Sequence, residues 1–213
     1  MKHWQKETPT SIDVLRHGAC QGGEIFRGST DVELSELGWQ QMQAAVKSRS
    51  WDQIVSSPLK RCRLFAQELA DQLNLPLVVD ERWREFNFGI WEGRLREEVW
   101  KESGEEVRQF FTDPTSFTPE NGDTYASVCD RVDQAWCEMT EKYAQQKILL
   151  VTHGGIFRTL HAQLKSMPSW AFNSIEIPYA CLSRWKIYGD AKQSRPMLSF
   201  HNYPYENSPG HQD

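Results

Sequence analysis

The sequence predicts a single α/β domain, a three-layer α/β/α sandwich with a mainly parallel sheet, over its 213 residues. Short apolar runs alternate with longer segments whose apolar residues recur every three to four positions, and no repeat or linker interrupts them. Two of the runs, residues 12–15 and 148–151, are each followed by a His-Gly pair and a helical pattern. Ligands in open α/β sheets bind at the carboxyl ends of the strands, so the two histidines predict a site there.

The first predicted strand leads into a glycine-rich loop. Residues 11–15 form an apolar run typical of a buried strand. Residues 16–30 contain four glycines, and such a loop can bring its backbone close to a ligand. Ser35 is a candidate N-cap, and the apolar spacing that follows predicts a helix to about residue 48.

A second strand, over residues 54–56, is predicted to lead directly into a helix. Ser57 followed by Pro58 is the pattern of an N-cap with proline at the first helical position. Apolar residues then recur at spacings of three and four to about residue 73. Arg61 therefore falls in the first helical turn, close to the end of the second strand, where an anion would bind.

The middle of the sequence predicts a third strand and, after it, a helical segment that could lie over the sheet. Residues 75–79 form the candidate strand, and residues 81–93 combine aromatic and acidic side chains. Residues 94–120 predict an irregular helical excursion, which can serve as a substrate lid when it lies over the edge of a sheet.

The last third of the chain predicts the remaining layers. The apolar spacing over residues 125–143 is that of an amphipathic helix, and residues 121–124 form the turn before it. The other expected elements are a buried strand over 148–151, a helix over 156–165, strands over 181–188 and 197–201, and a mobile polar tail over 204–213.

Composition argues against several classes of protein. A formal net charge of -5 does not favour nucleic acid or a membrane surface as partner, and no apolar run approaches the length of a membrane span. Five cysteines without paired spacing favour a reducing cytoplasm over a disulfide framework, and the ligand pattern of a structural zinc site is missing. We therefore expect a cytoplasmic monomer or homodimer whose partner is a small molecule.

Two arginines and two histidines near the predicted strand ends suit the chemistry of a phosphate monoester. Arg16 and Arg61 offer planar forks that match phosphate oxygens. A neutral imidazole, from His17 or His153, can attack phosphorus and form a phosphohistidine, which divides hydrolysis into two easier steps. The leaving alkoxide then needs a proton, and Glu85, flanked by aromatic residues, is the best placed acid by composition. This scheme requires no metal ion or other cofactor.

Other interpretations match the sequence less well. Cysteine phosphatases place five residues between the cysteine and the arginine that cradle phosphate, whereas six separate Cys20 from Arg27. A Walker-type nucleotide loop is missing. His161, two turns into a predicted helix, is interpreted as surface or core. A non-catalytic protein that binds a phosphorylated ligand stays open, although such a protein has no use for a nucleophile and an acid.

The motifs around these residues resemble those of the histidine phosphatase superfamily, which includes the cofactor-dependent phosphoglycerate mutases. The resemblance extends from residue 12 to about residue 190. Five segments carry it: Leu15-Arg16-His17-Gly18, Leu34-Ser35-Glu36-Leu37-Gly38, Ser56-Ser57-Pro58-Leu59-Lys60-Arg61-Cys62, Glu85-Phe86-Asn87-Phe88-Gly89-Ile90-Trp91-Glu92-Gly93 and Val151-Thr152-His153-Gly154-Gly155.

The resemblance implies a phosphoglycerate mutase-like fold and a role for each candidate residue. His17 would be the phosphorylated nucleophile and Glu85 the proton donor. Arg16, Arg61 and His153 would complete the phosphate pocket. The expected substrate-binding residues are Arg16, Gly23, Arg27, Gly28, Arg61, Glu85, His153 and Gly154.

Within the superfamily, the chain is most similar to the α-ribazole-5'-phosphate phosphatases of bacterial cobalamin synthesis. The similarity rests on residues 22–28, 51–62 and 117–123. It implies a metal-independent phosphomonoesterase that converts α-ribazole 5'-phosphate to α-ribazole. A phosphatase of another small phosphorylated metabolite and a phosphoglycerate mutase are the alternatives.

One departure from the family pattern concerns the loop after the expected nucleophile. Many members carry an acidic residue, Thr or Ser after Arg-His-Gly, and an Asn six residues after the histidine that contacts phosphate. Here those positions hold Ala19, Cys20 and Gly23. Backbone N–H groups of the glycine-rich loop would have to replace the lost donor. The departure weighs against a mutase more than a hydrolase, because a mutase must hold and re-present the phospho-group.

Overall fold

One six-stranded sheet organises the part of the chain that the computed structural model describes, residues 8–189 and 195–201. Its order is β3-β2-β4-β1-β5-β6; the first four strands in this order are parallel, and β5 and β6 each run antiparallel to the preceding strand. The mainly parallel sheet is thereby confirmed. The strands are β1 (Thr10–Arg16), β2 (Gln53–Ser56), β3 (Leu77–Val79), β4 (Lys147–Thr152), β5 (Leu182–Ile187) and β6 (Met197–Phe200).

Helices cover both faces of this sheet. Successive residues of a strand point to opposite faces. Ile148 and Leu150 of β4 pack in one apolar cluster with α4 and α5, whereas Leu149 and Val151 pack in a second cluster with α1 and α2. The predicted three layers are therefore present. The helices are α1 (Glu36–Val46), α2 (Lys60–Leu73), α3 (Arg96–Thr112), α4 (Tyr125–Lys142) and α5 (Gly154–Leu164).

The start of α2 differs from the prediction. Ser57 is not the N-cap, and Pro58 does not lie at the first helical position, because the helix begins at Lys60 with Leu59 as its cap residue. The Ser57 hydroxyl lies 2.6 Å from a ring nitrogen of His153 instead. Arg61 still falls in the first turn, as predicted.

Other element boundaries also shift. β3 begins two residues later than predicted; Pro76, just before it, has no N–H to donate to a ladder. Conversely, α5 begins two residues early, at Gly154. The expected tail over residues 204–213 lies outside the described residues.

The excursion predicted over residues 94–120 contains a long helix, α3. Its only irregularity among the described helical residues is at Ser103, which has non-helical backbone angles. Val99, Val107 and Phe110 of α3 are buried in the same apolar cluster as α4 and α5. In the described residues no helix combines the length and the apolar character that crossing a membrane requires.

Candidate active site

Parallel pairing of the two central strands brings the two predicted histidines together. Arg16, the last residue of β1, is in register with Thr152, the last residue of β4. The next residues along both strands are His17 and His153, and their ring centroids lie 5.3 Å apart. The His17 N–H donates to the Thr152 carbonyl at 3.0 Å, so the chain continues this pairing into the site. A site at the carboxyl edge of the sheet is therefore formed by residues 136 positions apart in sequence.

His17 is held in the form that a nucleophile needs. Its Nδ1 lies 2.8 Å from the Gly18 carbonyl oxygen, which can only accept, so Nδ1 carries the proton and Nε2 keeps its lone pair. Burial, the Arg61 guanidinium and the Arg16 guanidinium lower the pKa of His17 well below its ordinary value. The imidazole is therefore neutral at pH 7.

His153 is fixed by protein contacts at both ring nitrogens. Its Nδ1 accepts from Arg61 Nε at 3.1 Å, and its Nε2 then donates to the Ser57 hydroxyl at 2.6 Å. Burial and the nearby Arg61 lower the pKa of His153 well below its ordinary value, which keeps the ring neutral as this arrangement requires. Ser57, whose sequence pattern predicts a helix cap, is therefore a residue of the site.

Arg61 is buried and oriented at all three of its nitrogens. Its two terminal nitrogens donate to carbonyls of the glycine-rich loop, at 2.9 Å to Thr30 and 2.6 Å to Gly28, while Nε donates to His153. A terminal guanidinium nitrogen carries two hydrogens, so each of these two can still donate to a phosphate oxygen.

Arg16 is the second cation of the site, and part of its guanidinium has no partner. One terminal nitrogen donates to the Ile177 carbonyl at 2.5 Å, and the group lies 4.3 Å from the centre of the Tyr179 ring. Its Nε is buried without a hydrogen-bond partner in the described structure. A buried donor without a partner costs stability, and an anion in the cavity would remove that cost.

Glu85 is held against the first turn of α5. One carboxyl oxygen accepts from the Gly155 N–H at 2.9 Å, and the other accepts from its neighbour Phe86 at 3.0 Å. A Cβ at Gly155 would lie 2.5 Å from a Glu85 carboxyl oxygen and 2.7 Å from the Phe86 ring, so a larger residue here would displace these side chains. Arg131 of α4 donates to the backbone carbonyl of Glu85 at 3.3 Å, and this hydrogen bond also helps to fix the backbone that carries the Glu85 side chain.

A cavity of about 400 Å³ opens beside these groups. Arg16, His17, Glu85 and Gly154 line it, whereas Arg61 and His153 lie next to His17 and outside the lining. Most of the other lining is aromatic. It includes Phe26, Phe88, Trp100, Phe110, Phe111 and Phe172.

The glycine-rich loop contributes Arg27 to the cavity lining but neither of the expected glycines. The Arg27 guanidinium donates to the Gln21 and Gly23 carbonyls at 2.9 and 2.7 Å, so Gly23 holds Arg27 through its carbonyl. Gly28 holds Arg61 in the same way, also by its carbonyl. Their assignment as direct substrate ligands stays a prediction.

Arg158 also lines the cavity, although it was not among the residues expected from the sequence. It follows Gly154 by four residues, so one turn of α5 separates them and they share a helix face. A Cβ at Gly154 would lie 3.1 Å from Arg16 Nε and 3.4 Å from an Arg158 terminal nitrogen, so the glycine lets both guanidinium groups approach its backbone. Arg158 Nε is buried without a partner in the described structure. The i, i+4 spacing from the second His-Gly pair was the signal that could have found it.

Comparison with known proteins identifies the family of this architecture. The model of the histidine phosphatase superfamily (branch 1) matches residues 12–197. Phosphoserine phosphatase 1 of Hydrogenobacter thermophilus is 29% identical over 177 residues, covering 79% of this chain and 84% of that protein. The adenosylcobalamin/alpha-ribazole phosphatase of Escherichia coli is 26% identical over 175 residues, covering 80% and 86%.

A solved structure agrees in fold over nearly its whole length. The native structure of a mycobacterial glucosyl-3-phosphoglycerate phosphatase superposes with a TM-score of 0.82 at 26% identity, covering 91% of this chain and 99% of that one. These three similar proteins are named for three different substrates, so the similarity identifies the kind of enzyme and leaves the substrate open.

Proposed function

This chain belongs to the histidine phosphatase superfamily and is a phosphoric monoester hydrolase; from that premise we propose that it works through a phosphohistidine at His17. The observation that carries the proposal is the state of that ring. His17 is neutral, its Nδ1 proton is tied to the Gly18 carbonyl, and its Nε2 is the nitrogen left to react. His17 also lines the cavity beside Arg16 and Glu85.

In the first step of the proposed mechanism, His17 Nε2 attacks phosphorus while the ester oxygen leaves. Arg16 and Arg61 bind the phosphoryl oxygens, which carry the negative charge of the transition state. The N–P bond forms as the P–O bond breaks. Glu85, in its protonated form, gives its proton to the departing alkoxide.

In the second step, water attacks the phosphohistidine. The Glu85 carboxylate left by the first step takes a proton from that water as its oxygen bonds to phosphorus. The N–P bond breaks, the electron pair returns to Nε2, and inorganic phosphate leaves. Both residues are then in their starting state.

We propose that this chemistry is metal-independent and takes place in the cytoplasm. Fixed guanidinium groups supply the positive charge that a metal ion would otherwise supply to a phosphoryl group. The sequence holds five cysteines, an odd number without paired spacing, which supports a reducing compartment.

The aromatic lining of the cavity supports α-ribazole 5'-phosphate as the substrate. Phe88 and Phe110 meet edge to face, and Phe86 stacks parallel to Phe88, so the wall offers flat ring surfaces. The base of α-ribazole is a planar aromatic ring, and ring contacts of this kind contribute beyond the area they bury. The cavity volume of about 400 Å³ is within the usual range for small-molecule sites.

We expect kcat/KM on α-ribazole 5'-phosphate to exceed that on 3-phosphoglycerate by about a hundredfold, or roughly 2.7 kcal/mol of differential transition-state binding. The measurement runs both in parallel with p-nitrophenyl phosphate, which reports the phosphate chemistry alone. Similar low rates on all three would leave the hydrolase in place and remove α-ribazole as its substrate. Isomerisation of 3-phosphoglycerate would make the chain a mutase, and tight phosphate binding without turnover would make it a binding protein.

Arg158 supports a second candidate, a phosphate ester whose leaving group carries another anionic group. Five guanidinium groups lie in or beside the cavity, whereas Glu85 is the one acidic residue of its lining; Arg16, Arg27, Arg96 and Arg158 line the cavity, and Arg61 lies next to it. A phosphate monoester carries a charge of about −1.5 to −2 at pH 7, which does not balance this excess of positive charge. A carboxylate or a second phosphate on the leaving group would balance it.

The two candidates respond differently to replacement of Arg158 by Met. For an ester with a second anion, such as 3-phosphoglycerate, we expect KM to rise about tenfold, because a charge-assisted hydrogen bond is lost. KM for α-ribazole 5'-phosphate should stay close to that of the parent protein. Arg158→Lys is the matched control, since it keeps the charge and should recover most of the affinity. Equal effects on both esters would show that Arg158 does not distinguish leaving groups.

A further inference from the structure

Glu92 is a carboxylate that collects backbone donors from two segments. One of its oxygens accepts from the Ser29 and Phe88 N–H groups, both at 2.8 Å. The other accepts from the Thr30 N–H at 2.9 Å and the Gly28 N–H at 3.3 Å, and the Thr30 hydroxyl donates to it as well. Three successive N–H groups of residues 28–30 therefore converge on one side chain.

The same three-residue loop positions Arg61 from its other side. The Gly28 and Thr30 N–H groups point to Glu92, while the carbonyls of these two residues accept from the two terminal nitrogens of Arg61. Arg61 Nε in turn donates to His153. A continuous series of hydrogen bonds thus connects Glu92 to the phosphate site without direct contact between Glu92 and the cavity.

The packing leaves little room for another arrangement. A Cβ at Gly28 would lie 2.2 Å from a Glu92 carboxyl oxygen and 2.0 Å from the Phe86 carbonyl, so the loop backbone lies directly against both. An ionised carboxylate can accept from all of these donors at once, whereas an amide of the same shape presents N–H groups to some of them. The negative charge also polarises the Gly28–Ser29 peptide group, whose N–H donates to Glu92 and whose carbonyl accepts from Arg61, and this strengthens that Arg61 hydrogen bond.

We infer that Glu92 is a positioning residue for phosphoryl transfer, acting through residues 28–30 to hold the Arg61 guanidinium at the phosphate. The inference rests on the proposed function, because only phosphoryl transfer gives the orientation of Arg61 a role. The inference gives a function to the acidic residue of the Trp91-Glu92-Gly93 segment. Glu92 does not line the cavity in the described structure.

The test is a double-mutant cycle between Glu92→Gln and Arg61→Lys, read as kcat on p-nitrophenyl phosphate and as affinity for orthovanadate by calorimetry. In the parent protein we expect Glu92→Gln to lower both by about tenfold. In the Arg61→Lys background, where the two loop contacts are already lost, Glu92→Gln should change either quantity by less than about twofold. The melting temperature of every variant is measured alongside.

Asp13→Asn is the matched control. Asp13 is a buried carboxylate with three side-chain hydrogen bonds, from Trp51 and Arg184, outside the site. The Asp13→Asn substitution should lower the melting temperature and leave kcat and vanadate affinity near the values of the parent protein. The inference would be overturned if Glu92→Gln lowered kcat and vanadate affinity by the same factor in both backgrounds. It would also be overturned if Glu92→Gln changed these two quantities no more than Asp13→Asn does. If the parent protein hydrolyses no ester, the proposed function fails, and the vanadate cycle still decides the role of Glu92.

Discussion

Replacing His17 by Ala is expected to lower kcat on every phosphate ester by at least about 10⁴-fold, or roughly 5.5 kcal/mol. No other group in the described site combines a neutral imidazole with a ring nitrogen that has no protein partner. His153 cannot substitute, because Arg61 and Ser57 occupy both of its ring nitrogens. The measurement is steady-state kcat on p-nitrophenyl phosphate and on the preferred substrate.

His161→Ala is the control for this substitution. His161 lies on α5, is almost as buried as His17, and packs edge to face on Trp185 outside the cavity. The His161→Ala variant should be less stable than the parent protein but should keep a similar kcat. The His17 variant should still bind orthovanadate, since the arginines remain. Residual turnover of the His17 variant within about a hundredfold of the parent would contradict the assignment of the nucleophile.

Replacing Glu85 by Gln is expected to lower kcat/KM for alkyl phosphate esters by about 10²–10³-fold and kcat/KM for p-nitrophenyl phosphate by less than about tenfold. An alkoxide is a poor leaving group and needs the proton, whereas p-nitrophenolate leaves without one. The comparison is kcat/KM, which reports the first step alone, on a series of esters that differ in leaving-group acidity.

The series contains its own control, because every ester meets the same altered site. The Gln amide oxygen can still accept one of the two N–H groups, from Gly155 and Phe86, that Glu85 accepts. The variant protein therefore loses some stability, and this loss is the same whichever ester is assayed. A steeper dependence of rate on leaving-group acidity in the variant supports the role of acid. An unchanged slope would remove that role and leave Glu85 as a group that orients the start of α5.

The sequence was sufficient to predict where the candidate site lies, because local patterns and one topological rule determine its position. Two apolar runs that each end in His-Gly predict two parallel strands, and parallel strands present their carboxyl ends at one edge. The pairing of Arg16 with Thr152 then places His17 beside His153. Arg61 was found because its position in the first turn of α2 fixes it near the end of β2.

What the sequence could not show depends on contacts between distant segments. Ser57 has the local pattern of a helix cap, and only the approach of His153, 96 residues away, gives its hydroxyl another partner. Tyr179 faces the Arg16 guanidinium from the segment before β5, which no periodicity marks. The aromatic residues of α3 follow a helical spacing that equally describes a core face, so their place around a cavity required the fold.

The most direct test of the central claim is to quench the enzyme within one turnover of a radiolabelled phosphate ester and to locate the label on the chain. The account predicts a label that survives alkali, is lost in acid as expected of a phosphoramidate, and maps to the peptide that contains His17. The Glu85→Gln variant with p-nitrophenyl phosphate should accumulate more label, because the second step also uses Glu85 as its base. Label on any other residue, or turnover without a labelled enzyme, would contradict a phosphohistidine mechanism.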